Sequence, residues 1–372
     1  MKKIRIICCI LAGFLLAAGC RRGKVENEPR TAAPSEVTTR LLTDASGVDD
    51  KSFNAAAWRG ILEYYGDTWD NASGRGKFYD VVTALTQDQY IPNIQQATDE
   101  NYDLIITTGF TFADALAAVA SKNPNQKYMI IDVDWVGLPN VLQATFAEHE
   151  GSYLVGVAAA LKAVEDKIPN PRFGFIGGIP GATITKFEVG FVQGVLSVLP
   201  NARIDDYYVN DWADPASAKS QAKNWYDSGI YIIYSAAGAS GNGTIAQAKE
   251  YRAQGKNVWA IGVDSDQFEE GLYNDTESAV YTSMLKRVES ATLYGLKAVK
   301  DGHFRGEVLS FDLKAAGIGY SVTNPAMSGE VKSKVSDTVY KIISGDVTIA
   351  ATYADAKQLA GFPQNLLAKD DD

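Results

Sequence analysis

The sequence predicts an α/β protein built of two doubly wound lobes, each a parallel sheet with helices on both faces. Short apolar, β-branched runs alternate along the chain with stretches of helical periodicity, which is the pattern of parallel strands joined by helical crossovers. About ten such units are too many for one small open sheet, and 372 residues suit two domains. A single (β/α)8 barrel is the competing arrangement.

Ten runs have the composition of strands. In chain order they are 37–43, 78–85, 103–108, 127–134, 141–146, 172–177, 204–209, 231–236, 258–264 and 279–285. Apolar residues recur at helical spacing between them, as at Phe53, Ala57 and Ile61. The stretch 150–164 is expected to carry the chain from one lobe to the other. We therefore expect residues 37–148 plus about 281–306 in the first lobe, and 149–280 plus about 307–372 in the second.

The N-terminus has the features of a secretory signal. Residues 1–19 combine a short basic start with an apolar run at 6–18 that is too short for a stable membrane span. Small residues directly before Cys20 resemble the site at which bacterial lipoproteins are cleaved and acylated. An uncleaved anchor or a plain secretory signal is the alternative. Residues 20–36 are polar and contain two prolines, so we expect a flexible tether between a lipid on Cys20 and a folded body.

Composition excludes several kinds of chemistry. All three cysteines lie in the first twenty positions, so the rest of the chain has no thiol nucleophile and no cysteine metal site. The two histidines, His149 and His303, are far apart and lack metal-ligand spacing. We therefore expect no metal and no cofactor. The net charge is −10, no basic stripe occurs, and nucleic acid is not an expected partner. Loss of residues 1–19 would move the charge to about −13.

Acidic and aromatic residues follow the first predicted strand. Asp44 comes directly after it, and Phe53 and Asn54 stand at the start of the next helix, where they would face the crevice. Ser52 is the expected N-cap, and the aspartates at 49–50 are expected to be turn and helix-start residues. Since doubly wound sheets bind ligands at the carboxyl ends of their strands, this segment is a candidate binding site.

Later strand ends repeat the pattern. Asp132 lies at the end of the fourth predicted strand, and Trp212, Gly238 and Asp264 follow or end strands of the second set. Lysine and arginine are scarce at these positions. Ring faces for stacking, together with carboxylates that accept hydrogen bonds, suit a flat ligand that carries hydroxyl groups.

Five motifs give the chain a family resemblance. They are D-D-K-S-F-N at 49–54, E-G-S-Y-L-V-G-V-A-A-A-L-K-A at 150–163, G-N-G at 241–243, I-G-V-D-S-D-Q at 261–267 and T-S-M-L-K-R at 282–287. Together they resemble the basic membrane protein family of substrate-binding lipoproteins, which includes purine nucleoside receptors. The resemblance implies a type I periplasmic-binding-protein fold, with two Rossmann-like lobes joined by a hinge. It also implies a monomeric binding component of an ABC importer, whose partners are permease and ATPase subunits.

The resemblance assigns roles to the base-binding side. Phe53 would be the first stacking ring, and Trp212 would be the second, where the family usually has phenylalanine. Asp132 would recognise the edge of the base, with Asp44 and Asn54 beside it. Guanosine, inosine and adenosine are the ligands that this arrangement implies.

The resemblance assigns three further residues to the ribose, namely Gly238, Asp264 and Lys286. A carboxylate that accepts two ribose hydroxyls makes charge-assisted hydrogen bonds. Lys286 would donate to a ribose oxygen and offset the buried charge of Asp264.

An enzyme is the main alternative to a binding protein. Residues 43–50, T-D-A-S-G-V-D-D, are similar to the D-x-D-P-G-x-D-D calcium motif of nucleoside hydrolases. Thr43 and Ala45 stand where two of its aspartates belong, so the calcium cage would lack two ligands. No histidine stands at these strand ends to protonate a leaving base. The glycine-rich stretch at 238–243 matches no phosphate-binding motif. We therefore expect no enzyme, while a sugar or a flavin remains an alternative ligand.

Overall fold

The structure, a computed structural model, describes residues 36–364 and residue 366. The expected signal peptide at 1–19, the expected lipidation site Cys20 and all but the last residue of the tether at 20–36 lie outside the described residues. None of the helices within the described ranges is long and apolar enough to cross a membrane.

Two six-stranded sheets form the framework. The first has the order β11-β5-β4-β3-β1-β2, and the second has the order β12-β10-β9-β8-β6-β7. The strands of the first sheet are β1 Thr39–Thr43, β2 Tyr79–Thr83, β3 Leu104–Thr108, β4 Tyr128–Ile131, β5 Val141–Phe146 and β11 Val308–Phe311. Those of the second are β6 Arg172–Gly177, β7 Arg203–Tyr208, β8 Ile230–Ala236, β9 Trp259–Asp264, β10 Val280–Lys286 and β12 Ile318–Tyr320. Every pairing is parallel except that of β10 with β12.

Helices cover both faces of each sheet. They are α1 Phe53–Tyr65, α2 Tyr90–Asp99, α3 Ala113–Ala120, α4 Glu148–Glu165, α5 Ala182–Val198, α6 Pro215–Asp227, α7 Gly241–Ala253, α8 Val288–Lys300, α9 Gly329–Ser344 and α10 Tyr353–Ala356. Two separate sheets rule out the (β/α)8 barrel. The two doubly wound lobes predicted from the sequence are confirmed.

Alternate residues of the buried strands face two different cores. In the first sheet, Leu42 and Ile105 pack into the core beneath α2 and α3, while Leu41 and Ile106 face the core shared with α1. A strand that is buried on both faces needs continuous apolar residues, and this explains the runs seen in the sequence. All ten predicted strands form, β5 and β6 with the predicted ends and the other eight with shifted ends. The two short strands β11 and β12 were missed, since β11 is half exposed and β12 has only three residues.

The chain passes between the lobes three times. After β5 it enters α4, which packs on α5 and β10 of the second lobe; after β10 it enters α8, which packs on α1 of the first lobe. The third connection runs from β11 to β12. Backbone hydrogen bonds tie the connections together: the N–H of Ala147 donates to the carbonyl of Phe311, and that of Arg287 to Gly317, both at 2.9 Å. These segments form the hinge.

Strand pairing divides the chain differently from the sequence expectation in two places. β10 pairs with β9, so residues 280–286 belong to the second sheet, although 281–306 was expected in the first lobe. β11 pairs with β5, so residues 308–311 belong to the first sheet, although 307–372 was expected in the second lobe. The alternation of strand and helix is the same whichever sheet a strand joins, so the pattern alone does not locate the crossings.

Candidate ligand-binding site

A cavity lies between the carboxyl ends of the two sheets. Including its mouth, it measures about 550 Å³, within the range of small-molecule sites. Its walls contain every residue that the sequence placed at the binding site, namely Asp44, Phe53, Asn54, Asp132, Trp212, Gly238, Asp264 and Lys286. Both lobes contribute, so a ligand in this cavity would contact each of them. That these residues bind a ligand remains a prediction.

The start of α1 positions two of the wall residues, Phe53 and Asn54. Asp50, which is 1 % exposed, accepts hydrogen bonds from the backbone N–H groups of Ser52 (3.0 Å), Asn54 (2.7 Å) and Ala55 (2.9 Å). Ser52 occupies the N-cap position, as expected, but its side chain makes no capping hydrogen bond. Asp50 reaches past it because its longer side chain lies two positions earlier. Asp50 also lines the cavity.

Replacing Asp50 by alanine is expected to lower the free energy of unfolding by about 1–2 kcal/mol, since the orphaned N–H groups of α1 lose their acceptor. Urea unfolding followed by circular dichroism measures the change. The neighbouring Asp49 is exposed, and Asp49→Ala is the matched control. Equal stability of the two variants would contradict the capping role.

Asn54 joins the ends of three chain segments. Its Nδ2 donates to Asp44 Oδ1 at 3.1 Å, and its Oδ1 accepts from Thr108 Oγ1 at 2.6 Å. Asp44 Oδ1 also accepts from the backbone N–H of Ser46 at 3.0 Å. Burial raises the pKa of Asp44 above its ordinary value, although these hydrogen bonds oppose the shift. The Asp44–Asn54 pair therefore presents a fixed arrangement of donors and acceptors to the cavity.

Asp132 and Asp264 occupy equivalent places in the two lobes. Asp132 follows β4, Asp264 ends β9, and β4 and β9 hold the same position in their sheets. Both residues have left-handed backbones, with φ of 71° and 63°. Aspartate tolerates this region better than most residues, yet the conformation costs about 1 kcal/mol or more. Strained backbone at two matched positions, each at the cavity wall, is typical of a functional site.

A buried ion cluster lies at the base of the cavity. Lys286 Nζ is 2.6 Å from Asp132 Oδ1 and 2.9 Å from Glu148 Oε1, and none of the three side chains is more than 8 % exposed. Burial would lower the pKa of Lys286, but Asp132 and Glu148 raise it above its ordinary value. Burial likewise opposes ionisation of Glu148, whose pKa is nevertheless lowered by Lys286 and Lys186. The two carboxylates therefore favour the charged form of Lys286.

This cluster corrects one expectation about Lys286. The sequence paired Lys286 with Asp264, whereas its direct partners are Asp132 and Glu148. Among the described residues, none donates a hydrogen bond to the side-chain carboxylate of Asp264, although Asp264 is only 7 % exposed. Burial raises the pKa of Asp264 to about 7, despite the attraction of Lys286. An unpaired acceptor at the wall of a buried cavity is suited to ligand hydroxyl or amino groups.

Aromatic rings form another part of the wall. Phe53 and Phe187 flank the ammonium group of Lys286, with ring centroids 5.0 Å and 5.4 Å from Nζ. Trp212 and Phe110 make a T-shaped contact across the cleft, with ring centroids 6.0 Å apart and planes at 75°. A Cβ atom at Gly178 would lie 2.0 Å from Trp212 Cζ3, so the six-membered ring of the indole rests on bare backbone. Gly178 therefore makes room for a tryptophan at position 212.

Several wall residues were missed from the sequence. Phe187 lies within α5, and nothing in the helical pattern of the sequence distinguishes it from a core residue. Phe110 stands two residues after the end of β3, where no acidic residue accompanies it. Glu148 contacts Lys286 behind the wall and stands two residues after the end of β5, one position further from its strand than Asp132 is from β4. Among the described residues, no group of histidine, cysteine and carboxylate side chains could hold a metal ion.

Solved structures share this architecture. A solute-binding protein of an ABC transporter system from Aeropyrum pernix has a TM-score of 0.75 and 25 % identity, with 87 % of this chain and 96 % of that chain covered. A solute-binding protein from Conexibacter woesei has a TM-score of 0.61 and 17 % identity, with coverage of 85 % and 99 %. Two doubly wound lobes, a three-segment hinge and a cavity between the lobes define a type I periplasmic binding protein.

Comparison with known sequences identifies the protein family to which this chain belongs. The profile of the Bmp family, PnrA-like substrate-binding proteins of ABC transporters, matches residues 38–352, and the chain belongs to this family. The ABC transporter nucleoside-binding protein BmpA of Lactococcus lactis is 33 % identical over 366 residues, covering 94 % of this chain and 99 % of BmpA. The CD4+ T-cell-stimulating antigen of Listeria monocytogenes is 34 % identical over 347 residues, with coverage of 91 % and 95 %. Proteins of this family bind a ligand for transport and are not enzymes.

Proposed function

We propose that this protein captures a purine nucleoside, such as guanosine, inosine or adenosine, between its lobes and delivers it to an ABC permease and its ATPase subunits. One observation carries the proposal: the cavity combines aromatic rings with the unpaired carboxylate of Asp264 and the Asp44–Asn54 pair. The rings suit a base, and the polar groups suit its edge and its ribose. The nucleoside-binding relative from Lactococcus lactis supports the same ligand class.

The negative charge of the cavity wall bears on whether the ligand carries a phosphate. Its walls contain the carboxyl groups of Asp44, Asp50, Asp132 and Asp264, and Lys286 is the only basic residue among the described wall residues. Because a phosphate would meet this excess of negative charge, a neutral nucleoside is favoured over a nucleotide.

Titration calorimetry tests the ligand class. The purified protein is titrated with guanosine, inosine and adenosine, with guanosine monophosphate, and with a sugar and riboflavin as the alternative ligands. We expect heat with at least one nucleoside and none with the nucleotide. Binding of the sugar or flavin without any nucleoside would contradict the proposal.

Stacking on Phe53 and Trp212 is expected to supply much of the affinity. Phe53→Ala and Trp212→Ala should each weaken nucleoside binding about ten- to hundredfold, since one stacked ring is worth roughly 1–3 kcal/mol. Calorimetry gives both dissociation constants. Trp69→Ala is the matched control, because that ring is 43 % exposed and is not part of the cavity wall. Unchanged affinity in both cavity variants would place the base elsewhere.

We also propose that the protein acts as a monomer held to the outer face of a membrane by lipid on Cys20. The small residues directly before Cys20, which resemble the acylation site of bacterial lipoproteins, support this attachment. Metabolic labelling with a palmitate analogue would mark the wild-type protein, and Cys20→Ala should abolish both the label and membrane retention. An unlabelled wild-type protein would contradict the proposal.

A further inference from the structure

Asn242 is the middle residue of the G-N-G motif, and the proposed site does not use it. The flanking Gly243 has a packing role, because a Cβ atom there would lie 1.9 Å from the carbonyl oxygen of Pro215 at the start of α6. Asn242 is absent from the cavity wall. Its Nδ2 donates instead across the cleft to the backbone carbonyl of Asp50, at 2.9 Å. Asn242 therefore links α7 of the second lobe to the first lobe.

A buried glutamine orients the Asn242 amide. Gln267, which is 2 % exposed, donates from Nε2 to Asn242 Oδ1 at 3.3 Å. Its Oε1 accepts from the backbone N–H of Val263 at 2.9 Å, next to Asp264. Since Gln267 occupies the oxygen of Asn242, the amide nitrogen faces Asp50. One chain of hydrogen bonds thus joins the backbone beside Asp264 to the opposite lobe.

This series of hydrogen bonds ends at the carbonyl of Asp50, in the turn that leads into α1, and α1 begins with Phe53 and Asn54. The second lobe holds this turn at another carbonyl as well, since Ser265 Oγ donates to the oxygen of Ser52 at 3.2 Å. Ser265 Oγ also accepts from Arg59 Nη2 at 2.6 Å. The segment directly before α1 is therefore attached to the second lobe at two carbonyls, those of Asp50 and Ser52.

We propose that Asn242 is a positioning residue: its hydrogen bond to Asp50 holds the closed cleft and slows release of the ligand. The choice of ligand rests on the proposed nucleoside function. A bond that exists only when the lobes meet stabilises the closed state and leaves ligand entry largely unaffected. Its loss should therefore accelerate dissociation more than it slows association.

Asn242→Asp is the discriminating variant. It has the same shape and keeps the acceptor for Gln267, but it offers no donor to the Asp50 carbonyl. Asn242→Ala removes both contacts without adding a charge. In stopped-flow measurements with the tightest-binding nucleoside, we expect both variants to dissociate about 5- to 10-fold faster, with association rates within about twofold of the wild type. Asn224→Asp, on the exposed face of α6, is the matched control.

A second measurement separates this inference from the proposed function. The chain has no cysteine after Cys20, so spin labels introduced by Asp88→Cys and Ser220→Cys report the separation of the lobes. Asn242→Asp should shift the distances toward larger separations, and thermal unfolding should stay unchanged. If the wild type binds no nucleoside, the proposed function fails, and the distance measurement still decides the role of Asn242. Unchanged distances, or a change in association rate alone, would overturn the inference.

Discussion

Replacing Lys286 by methionine is expected to lower the free energy of unfolding by about 3–5 kcal/mol, because two buried carboxylates lose their counter-charge. Lys286 is 1 % exposed, and it lies 2.6 Å from Asp132 and 2.9 Å from Glu148. Methionine matches the length of the lysine stem, so the charge rather than the packing is what changes. Urea unfolding curves of the wild type and the variant give the difference.

An exposed ion pair supplies the control for this prediction. Lys334 pairs with Glu330 at 2.7 Å on the surface of α9, and Lys334→Met should change stability by no more than about 0.5 kcal/mol. Adding Asp132→Asn and Glu148→Gln to Lys286→Met should recover part of the lost stability, because the orphaned charges are then removed. If Lys286→Met were as stable as Lys334→Met, the ion cluster would have no structural importance.

Replacing Asp264 by asparagine is expected to weaken nucleoside binding about hundredfold, because charge-assisted hydrogen bonds to ribose are each worth about 1.5–3 kcal/mol. The same variant should be more stable than the wild type at pH 8. The pKa of Asp264 is about 7 in the folded protein, against 3.8 for an unperturbed aspartate. The folded state therefore holds this proton more tightly than the unfolded state, and the stability contributed by Asp264 is lost as the pH rises from about 4 to about 7. Calorimetry and thermal unfolding test the two effects.

The pH profile of binding distinguishes Asp264 from a merely structural residue. Ribose hydroxyls donate to the ionised carboxylate, so wild-type affinity should fall below pH 7 by up to about tenfold per pH unit. Asp50 and Asp132, both with a pKa of about 6, add to this fall at lower pH. Asp264→Asn should bind with a flat profile between pH 6.5 and about 8. Asp275→Asn, at an exposed position, is the control, and a wild-type profile in Asp264→Asn would refute the assignment.

Much of the fold could be predicted because its signals are local. A strand buried on both faces has to be apolar throughout, and a helix between sheet and solvent has to be apolar on one side. These requirements mark all ten predicted strands. β11 and β12 are short, lie at sheet edges and mix apolar with polar or small residues, so neither shows the continuous apolar run of a buried strand.

The cavity wall was predictable where an acidic residue stands at the end of a strand. Asp44 and Asp132 directly follow β1 and β4, and Asp264 is the last residue of β9. Pairing across the cleft was not predictable, because the partner of Lys286 depends on how two lobes are placed and not on residues near Lys286 in sequence. The cap of α1 was missed for a simpler reason: Asp50 reaches past the nearer Ser52, and spacing rules favour the nearer residue.

The ion cluster lies beside the pivot of the two lobes. Lys286 precedes the connection at Arg287, and Glu148 follows the connection at Ala147, so a rotation about the hinge moves both through only a short arc. Glu148 begins α4, which packs on the same lobe as Lys286, whereas Asp132 belongs to the opposite lobe. Opening the cleft therefore separates Lys286 from Asp132 but leaves it with Glu148. Because Glu148 stays paired with Lys286, the lysine keeps a counter-charge when the cleft opens. The free-energy cost of opening is therefore lower than it would be if Lys286 lost both carboxylates.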